Sequence, residues 1–175
     1  MKSHGLTLIE LAVSLTILCI ILALGIPSFN KQINDTRTKT ATLSLLDAIE
    51  TTRATAVFRN QQVILQPNNK KWHEGWTLFV DKNGNDILDS DDETLQINAG
   101  MDLVITQTRP PMNSYIAFIG NGAGRQLGTT GRGGFLSGTI KICPAAKGDG
   151  YSLVLSKGGR TRVGKLSETE CDAIR

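Results

Sequence analysis

An apolar run near the N-terminus constrains this chain more than any other feature. Residues 6–26 are 21 consecutive residues, of which only Glu10 is charged. A helix of that length spans about 30 Å at 1.5 Å per residue, which is the thickness of the hydrocarbon core of a bilayer. The run exceeds the roughly 7–15 apolar residues of a secretory signal, and no small-x-small cleavage site follows it. We therefore predict a membrane-spanning helix.

Glu10 is unfavourable in such a helix. A carboxylate inside a membrane span costs about 2.5–3.5 kcal/mol on insertion scales, so charged residues there usually have a partner. We expect nothing inside the run to pair with Glu10. Two alternatives follow: either the side chain reaches the lipid headgroups, or it neutralises a positive group in an assembled state.

The residues around Glu10 carry a family resemblance. The segment GLTLIE, residues 5–10, resembles the class III signal of type IV pilins and pseudopilins. In that family a prepilin peptidase cleaves after the Gly and methylates the new N-terminus. Cleavage after Gly5 makes Leu6 the first mature residue, Glu10 the fifth and Pro27 the twenty-second, which are the family's positions for Glu and Pro. Leu6 departs from the usual Phe.

The resemblance also implies a partner for Glu10. In pilus-like filaments this Glu is thought to meet the N-terminal amine of a neighbouring subunit, and two charges buried together avoid much of the penalty of burying each alone. It further implies an N-terminus in the cytoplasm, insertion as a single-pass protein of the inner membrane with a periplasmic C-terminal domain, and later transfer to an extracellular pilus.

A second helical segment follows Pro27, which can kink or interrupt the helix. From residue 28 to about 60, apolar residues recur at spacings near three and four, which predicts an amphipathic helix with one buried stripe. The members of that stripe are Phe29, Ile33, Leu43, Leu46, Ile49, Ala56 and Val57. The predicted organisation is a leader (1–5), an assembly helix (6–27), an amphipathic helix (28–60) and a globular β domain (61–175).

The β domain is predicted from short apolar runs with a period of two. Seven runs are interpreted as strands: residues 63–65, 77–80, 95–97, 103–105, 116–118, 139–142 and 151–155. Turn pairs such as Asn83-Gly84 and Gly158-Gly159 separate them, which favours antiparallel pairing. The segment WHEGWTLFVDKNGN, residues 72–85, resembles the W-x-x-G-W-x-V-F-x-D-x-N stretch of GspH/FimT-type minor pilins.

This second resemblance implies the α+β type IV pilin fold, in which a long N-terminal helix packs on an antiparallel β domain. The implied partners are other pilins and the prepilin peptidase, with no cofactor. Both His residues of the chain are isolated, so neither a catalytic Ser/His/Asp set nor a zinc site can be assembled. The chain is therefore not expected to be an enzyme.

Two cysteines fall in the exported part. An oxidising periplasm would pair Cys143 with Cys171 and attach the C-terminal tail to the strand that ends at Cys143. The alternative is a free pair of thiols. Cys19 lies in the apolar run, where it acts as a small apolar residue.

The segment SKGGRTRVGK, residues 156–165, is a candidate DNA contact. On a strand, Arg160 and Arg162 share one face about 7 Å apart, and the flanking Lys157 and Lys165 add charge. Arg forks bind phosphate in a bidentate manner, which recognises the backbone and not the sequence. Residues 159–162 also match the G-R-x-R motif through which some FimT-type minor pilins bind DNA, with Gly159 as its first residue. The alternative is a plain hairpin.

Two further loops are weaker candidates. The Gly-rich segment 120–134 has neither the Lys-Ser/Thr ending of a phosphate-binding loop nor a helix after it, and we interpret it as a flexible loop. Its Arg125 and Arg132 are possible additional DNA contacts. In the segment 81–92, Asp81, Asn83 and Asn85 occupy the first ligand positions of a calcium loop. Asp86 replaces the Gly that such a loop needs, so an acidic hairpin turn is the alternative.

Charge is divided along the chain. Residues 74–102 hold eight acids against one base, and residues 103–165 hold nine bases against one acid. Division along the sequence does not by itself divide a surface, so both outcomes remain open.

We therefore predict a minor pilin that binds double-stranded DNA for uptake in natural transformation. The alternatives are a structural or priming pilin for assembly, adhesion or twitching, and a pseudopilin of a type II secretion system.

Overall fold

The computed structural model describes residues 7–128 and 134–175, apart from the side chains of residues 23–31. Within these ranges a long N-terminal helix packs against two antiparallel four-stranded sheets. The predicted α+β class is confirmed, but the β domain is built of two sheets. Three of the proposed site residues, Gly5, Leu6 and Arg132, lie outside the described residues.

Helix α1 spans Leu8–Arg59. Thr7 caps its start: the Thr7 Oγ1 accepts from the Glu10 N–H, and the Glu10 carboxylate accepts from the Thr7 N–H at 2.9 Å. The helix continues past Pro27, where an interruption was considered, and ends at Asn60 in the left-handed conformation with φ 50°. Among the residues that the structure describes, no helix has the length and apolarity needed to cross a membrane.

The buried stripe of α1 differs from the predicted one. Of the predicted members whose side chains are described, only Ile49 and Ala56 are buried, Leu46 is half-buried, and Ile33, Leu43 and Val57 are largely exposed. The buried side chains are those of Thr38, Ala41, Thr42, Leu45, Ala48, Ile49, Thr52 and Ala56.

Three of the six buried positions that the prediction missed are threonines, and the other three are Ala41, Leu45 and Ala48. The hydroxyls of Thr38, Thr42 and Thr52 each donate to the carbonyl four residues earlier, at 2.8, 2.8 and 2.6 Å. Each hydroxyl is therefore satisfied within the helix, and the rest of the side chain can be buried without an unpaired polar group. A count of apolar residues treats these positions as polar and misplaces the stripe.

The first sheet has the strand order β3-β2-β1-β5. Its strands are β1 (Gln62–Pro67), β2 (Trp76–Asp81), β3 (Glu93–Asn98) and β5 (Ile116–Phe118). Both tryptophans of the W-x-x-G-W segment are fully buried, and the Trp72 Nε1–H donates to the Met112 carbonyl at 2.9 Å. Between them Gly75 has φ +104°, and a Cβ there would lie 2.2 Å from the Asn98 carbonyl oxygen. The segment is thus required by core packing.

The second sheet has the strand order β4-β6-β7-β8. Its strands are β4 (Val104–Thr108), β6 (Gly138–Pro144), β7 (Gly150–Leu155) and β8 (Thr161–Leu166), and a short helix α2 (Glu168–Asp172) follows. Ile140, Ile142, Leu153 and Leu155 belong to the buried core cluster that includes the α1 stripe. Alternate residues of these strands therefore point away from α1, to a surface that we call the outer face.

His73 connects the two sheets. It lies in the link between β1 and β2, and its Nδ1 accepts a hydrogen bond from the backbone N–H of Thr106 in β4 at 3.1 Å. Burial lowers the pKa of the His73 imidazole, and the nearby Glu74 carboxylate opposes that shift. The imidazole is therefore neutral at pH 7 and serves as an acceptor that joins the two sheets.

The acidic and the basic segments are separated in space because they belong to different sheets. The acidic segment forms β2, β3 and the turn between them, so it lies in the first sheet. Of the nine bases that follow, seven lie on β6, β8 or the links around the strands of the second sheet: Arg109, Lys141, Lys147, Lys157, Arg160, Arg162 and Lys165. The two sheets thus carry opposite charge.

Candidate nucleic-acid interface

The candidate interface is the hairpin of β7 and β8 with its turn, residues 156–160. Val154 pairs with Arg162 in the register of the two strands. The Ser156 N–H donates to the Arg160 carbonyl at 2.9 Å, and the Arg160 N–H donates to Ser156 Oγ at 3.1 Å. Arg162 lies on β8 and Arg160 directly precedes this strand. If the alternation of side chains extends to Arg160, the two guanidinium groups share one side, and this stays a prediction.

The turn is held against the rest of the molecule at Gly159. This residue is buried, has φ +80°, and a Cβ placed on it would lie 2.2 Å from the Gly122 carbonyl oxygen. The same carbonyl accepts a hydrogen bond from Arg53 Nε of α1 at 3.0 Å. The turn therefore rests on the loop after β5 and, through it, on α1.

Sequence reasoning did not find this support. Gly122 belongs to a recognisable Asn-Gly turn, but nothing local indicates that its carbonyl receives Arg53, 69 positions earlier in the chain. Only the packing of α1 against the sheets brings the two together.

The cations at the turn are free to bind an external anion. Lys157, Arg160 and Arg162 are exposed. Within the described residues, none of their side chains makes an ion pair or a hydrogen bond to another group of the chain. The turn thus presents three unneutralised charges on a fixed backbone.

Lys165 does not join this group. It pairs with Tyr151, lies three positions beyond Arg162 and therefore points to the opposite side of β8. It is about 16 Å from Arg160 along the strand. Lys165 lines a separate groove of about 440 Å³ whose lining also includes Asp35 and Asp149.

Arg125 lies on the same loop as Gly122, which supports the turn. Arg125 is half-buried and lies three residues after Gly122. Its backbone N–H donates to the Ala117 carbonyl at 2.9 Å. The described part of the Gly-rich segment is thus ordered by bridges, with Gly124 facing Phe118 and Arg125 facing Phe135. This is different from the flexible loop that we expected.

A disulfide fixes the opposite end of the second sheet. Cys143 of β6 is bonded to Cys171 of α2, as expected for an exported domain. Both cysteines pack with Leu166, Ile105 and Ile174 in a small separate cluster. The C-terminal tail therefore covers the outer face at the end remote from the turn, and leaves the turn end open.

The acidic turn between β2 and β3 is closed by its own hydrogen bonds. The Asp81 carboxylate accepts from the backbone N–H groups of Gly84 and Asp86, at 2.7 and 3.1 Å, and from Gln62 Nε2. The side-chain amides of Asn83 and Asn85 both donate to Asp89. In the part of the chain that is described, no three His, Cys, Asp or Glu residues are placed to hold a metal ion.

A long N-terminal helix on antiparallel sheets, together with an N-terminal methylation motif, defines the class of type IV pilins. The chain belongs to the GspH family, because the model of the family described as type II transport protein GspH matches residues 41–159. The prokaryotic N-terminal methylation motif matches residues 1–26. The family and the fold are those of structural pilins, which are not enzymes.

Two solved structures share the fold. They are crystal structures of the type IV minor pilin FimU from Pseudomonas aeruginosa PAO1, in space groups P21 and P65. The first is 18% identical, with a TM-score of 0.55, over 74% of this chain and 90% of that chain. The second is 19% identical, with a TM-score of 0.52, over 72% and 91%. No curated protein matches the sequence. The matched family segment ends at Gly159, one residue before Arg160.

Proposed function

We propose that this minor pilin captures double-stranded DNA at the cell surface for uptake in natural transformation, and that Arg160 and Arg162 are its principal contacts. The observation that carries the proposal is the turn itself, with two exposed Arg residues that form no ion pair with any acid in the described part of the chain. Lys157 adds a third charge. Lys165 contributes only long-range attraction, because it faces the other side of β8.

The proposed contacts are to phosphates. Arg forks bind phosphate oxygens in a bidentate manner, and such contacts fix a protein on the duplex without selecting a sequence. The turn is held at Gly159 and Gly122, so little conformational entropy is lost when it binds. Arg125, beside that support, is a secondary contact, and Arg132 is proposed from the sequence alone.

The N-terminal segment suggests how the chain reaches the filament. We infer that the chain is inserted in the inner membrane through residues 6–26, that prepilin peptidase cleaves after Gly5, and that Leu6 is methylated. The match of the methylation motif to residues 1–26 supports this sequence of events. Glu10 then pairs with the N-terminal amine of a neighbouring pilin, and Pro27 lies where the membrane segment ends.

A DNA mobility shift tests the proposed contacts. The chain from residue 30 onward retains every buried residue that the structure describes, since the first of them is Thr38. We expect this chain to retard a linear duplex, and Arg160→Ala/Arg162→Ala to weaken retention at least tenfold. The full chain in non-ionic detergent should behave in the same way.

Two control variants separate specific contact from bulk charge. Arg37→Ala/Lys39→Ala removes two exposed charges from α1 and should leave retention nearly unchanged. Arg160→Lys/Arg162→Lys keeps the charge but loses the bidentate fork, so an intermediate affinity is expected. If wild type and Arg160→Ala/Arg162→Ala retard DNA equally, or neither does so, the DNA role is wrong.

A second candidate function is that of a secretion pseudopilin, which the family description, type II transport protein GspH, favours. In that case the turn of residues 156–160 is an ordinary surface or a contact to another pilin. Arg160→Ala/Arg162→Ala would then alter secretion or assembly while the purified chain fails to bind DNA. The same measurement therefore decides between the two functions.

A further inference from the structure

A groove lies on the outer face of the second sheet, between β4 and β6, on the same sheet as the turn of residues 156–160, which we call the Arg turn. It has a volume of about 610 Å³, and its lining includes Gln107, Arg109, Thr139 and Lys141. Arg109 is exposed and Lys141 is half-buried. Within the described residues neither side chain makes an ion pair or a hydrogen bond to the rest of the chain.

The strand register aligns this groove with the turn. Thr139 of β6 pairs with Val154 of β7, and Val154 pairs with Arg162 of β8, so these three residues form one row across the sheet. Side chains that pair directly share a face. Lys141 lies one step along, opposite both Gln107 and Ser152. Arg162 and the groove cations are therefore on the same face.

The distances suit a nucleic-acid backbone. Neighbouring strands are about 4.8 Å apart, so the row from β8 to β4 is roughly 14 Å long. A duplex rises about 3.4 Å per base pair along each strand, so this row spans roughly four base pairs. Several phosphates can thus lie along the row at one time.

Acidic residues of the C-terminal tail limit where phosphate can bind on the outer face. Glu170 of α2 lies close enough to Lys141 for the lysine charge to contribute to the lowering of the Glu170 carboxyl pKa, although hydrogen bonds from Ser167 are the larger cause. Glu168 and Asp172 are on the same short helix. These acids repel phosphate, so an anionic chain is directed across the strands at the turn end of the sheet.

We propose that the DNA path continues from the Arg turn across the outer face into this groove, where Arg109 and Lys141 bind further phosphates of the same duplex. This inference rests on the proposed function and adds a second contact region to it. A neighbouring pilin with an acidic surface is the competing occupant, and the experiment distinguishes the two.

The salt dependence of binding tests this path. Each phosphate contact contributes about 0.9 to the slope of log K against log salt, so Arg109→Ala/Lys141→Ala should lower the slope by about 1.8. Between 50 and 200 mM NaCl, wild type should then lose roughly twelvefold more affinity than the variant does. Fluorescence anisotropy of a labelled duplex with the full chain in non-ionic detergent measures both values.

A variant that adds a phosphate contact shows that a change in slope does not come from misfolding. Thr139 is exposed on the same row, so Thr139→Lys should raise the slope by about 0.9. Arg37→Ala/Lys39→Ala removes one Arg and one Lys from α1, as a match for the groove variant, and should leave the slope unchanged.

Three outcomes overturn the path. The first is an unchanged slope in both groove variants while Arg160→Ala/Arg162→Ala abolishes binding, which leaves the proposed function intact. The second is an equal fall in slope for the groove and α1 variants. The third is an unchanged slope with loss of pilin co-assembly in Arg109→Ala/Lys141→Ala, which identifies a neighbouring pilin as the occupant. Absence of DNA binding by wild type overturns both proposals.

Discussion

Contacts of Gly159, Gly122 and Arg53 hold the candidate interface in place. Gly159 has a left-handed backbone, and its Cα faces the Gly122 carbonyl so closely that no side chain fits. The Arg53 side chain then joins that carbonyl to α1. The first Gly of the G-R-x-R segment is therefore explained by packing, whereas the two Arg residues are exposed and their side chains have no partner among the described residues.

Gly159→Ala should destabilise the domain and displace the turn. Strain at a left-handed position and the clash with Gly122 together cost about 1–3 kcal/mol, which lowers Tm by roughly 3–10 °C. DNA retention should fall as well, because Arg160 and Arg162 move with the turn. Circular dichroism melting and the mobility shift measure the two effects.

The neighbouring glycine is the matched control for that change. A Cβ on Gly158 meets nothing within 4 Å, and Gly158 does not have a positive φ. Gly158→Ala should therefore leave both Tm and DNA retention close to wild type. Equal melting temperatures for the two variants would show that the close contact at Gly159 is unimportant.

At the scale of elements, the second sheet has one end covered and one end open. Helix α2 is capped by Ser167, whose Oγ accepts from the Glu170 N–H, but five residues are too few for a helix to be stable alone. The disulfide to Cys143 and the packing of Leu166 keep it on the sheet. The tail thus covers a cluster that β6 and β8 would otherwise expose.

Cys171→Ser should lower the stability of the domain substantially. The bond closes a loop with a sequence separation of 28. The loop-entropy argument gives about 3–4 kcal/mol for such a bond, or a fall of roughly 10 °C in Tm. Thermal melting under non-reducing conditions measures it.

Cys19→Ser serves as the control for the loss of a cysteine, because Cys19 is a free thiol. It should melt like wild type, and wild type in strong reductant should approach the melting temperature of Cys171→Ser. A Cys171→Ser protein as stable as wild type would contradict the role given to the bond.

At the scale of the whole molecule, a helix with a long exposed apolar half carries a domain with two oppositely charged sheets. Side chains from Leu8 to Leu22 are largely exposed in the single chain, including Leu8 at 89%. Such a surface requires lipid or other subunits to cover it. Within the single chain, the Glu10 carboxylate accepts hydrogen bonds from the Thr7 N–H and hydroxyl, which cap the helix but do not neutralise its charge.

Glu10→Gln should separate capping from charge. Gln at this position still accepts from the Thr7 N–H, so the start of α1 is kept. The variant cannot neutralise the amine of a neighbouring subunit, and an amine without its partner in the membrane costs about 2.5–3.5 kcal/mol. We expect normal insertion and a loss of incorporation, measured as the share of pilin in sheared filaments relative to membranes.

Thr7→Ala is the converse test, because it removes the capping hydroxyl and keeps the carboxylate. Incorporation should remain close to wild type. If Thr7→Ala impairs incorporation as much as Glu10→Gln does, Glu10 acts mainly as a helix cap and the charge-pairing role is wrong.

Helix α1 and the two sheets show what a local sequence pattern can predict and what it misses. The short apolar runs predicted seven of the eight described strands, because burial in a sheet selects apolar residues over a few consecutive positions. Strand β8 (Thr161–Leu166) was not predicted, since its charged residues and glycine interrupt any apolar run. The stripe of α1 was misplaced at Leu43 and Val57, since buried threonines bond to their own helix and hydropathy does not register that. The number of sheets depends on pairing between distant strands, which no local pattern encodes.

The N-terminal methylation motif, the class of fold and the pairing of two cysteines could be predicted from the sequence. These depend on residue types and on their spacing along the chain. The separation of Lys165 from Arg162, the contact of Gly159 with Gly122 and the common face of Lys141 and Arg162 are visible only in the folded chain. Strand register and long-range packing set those relations, and both arise from contacts between residues remote in sequence.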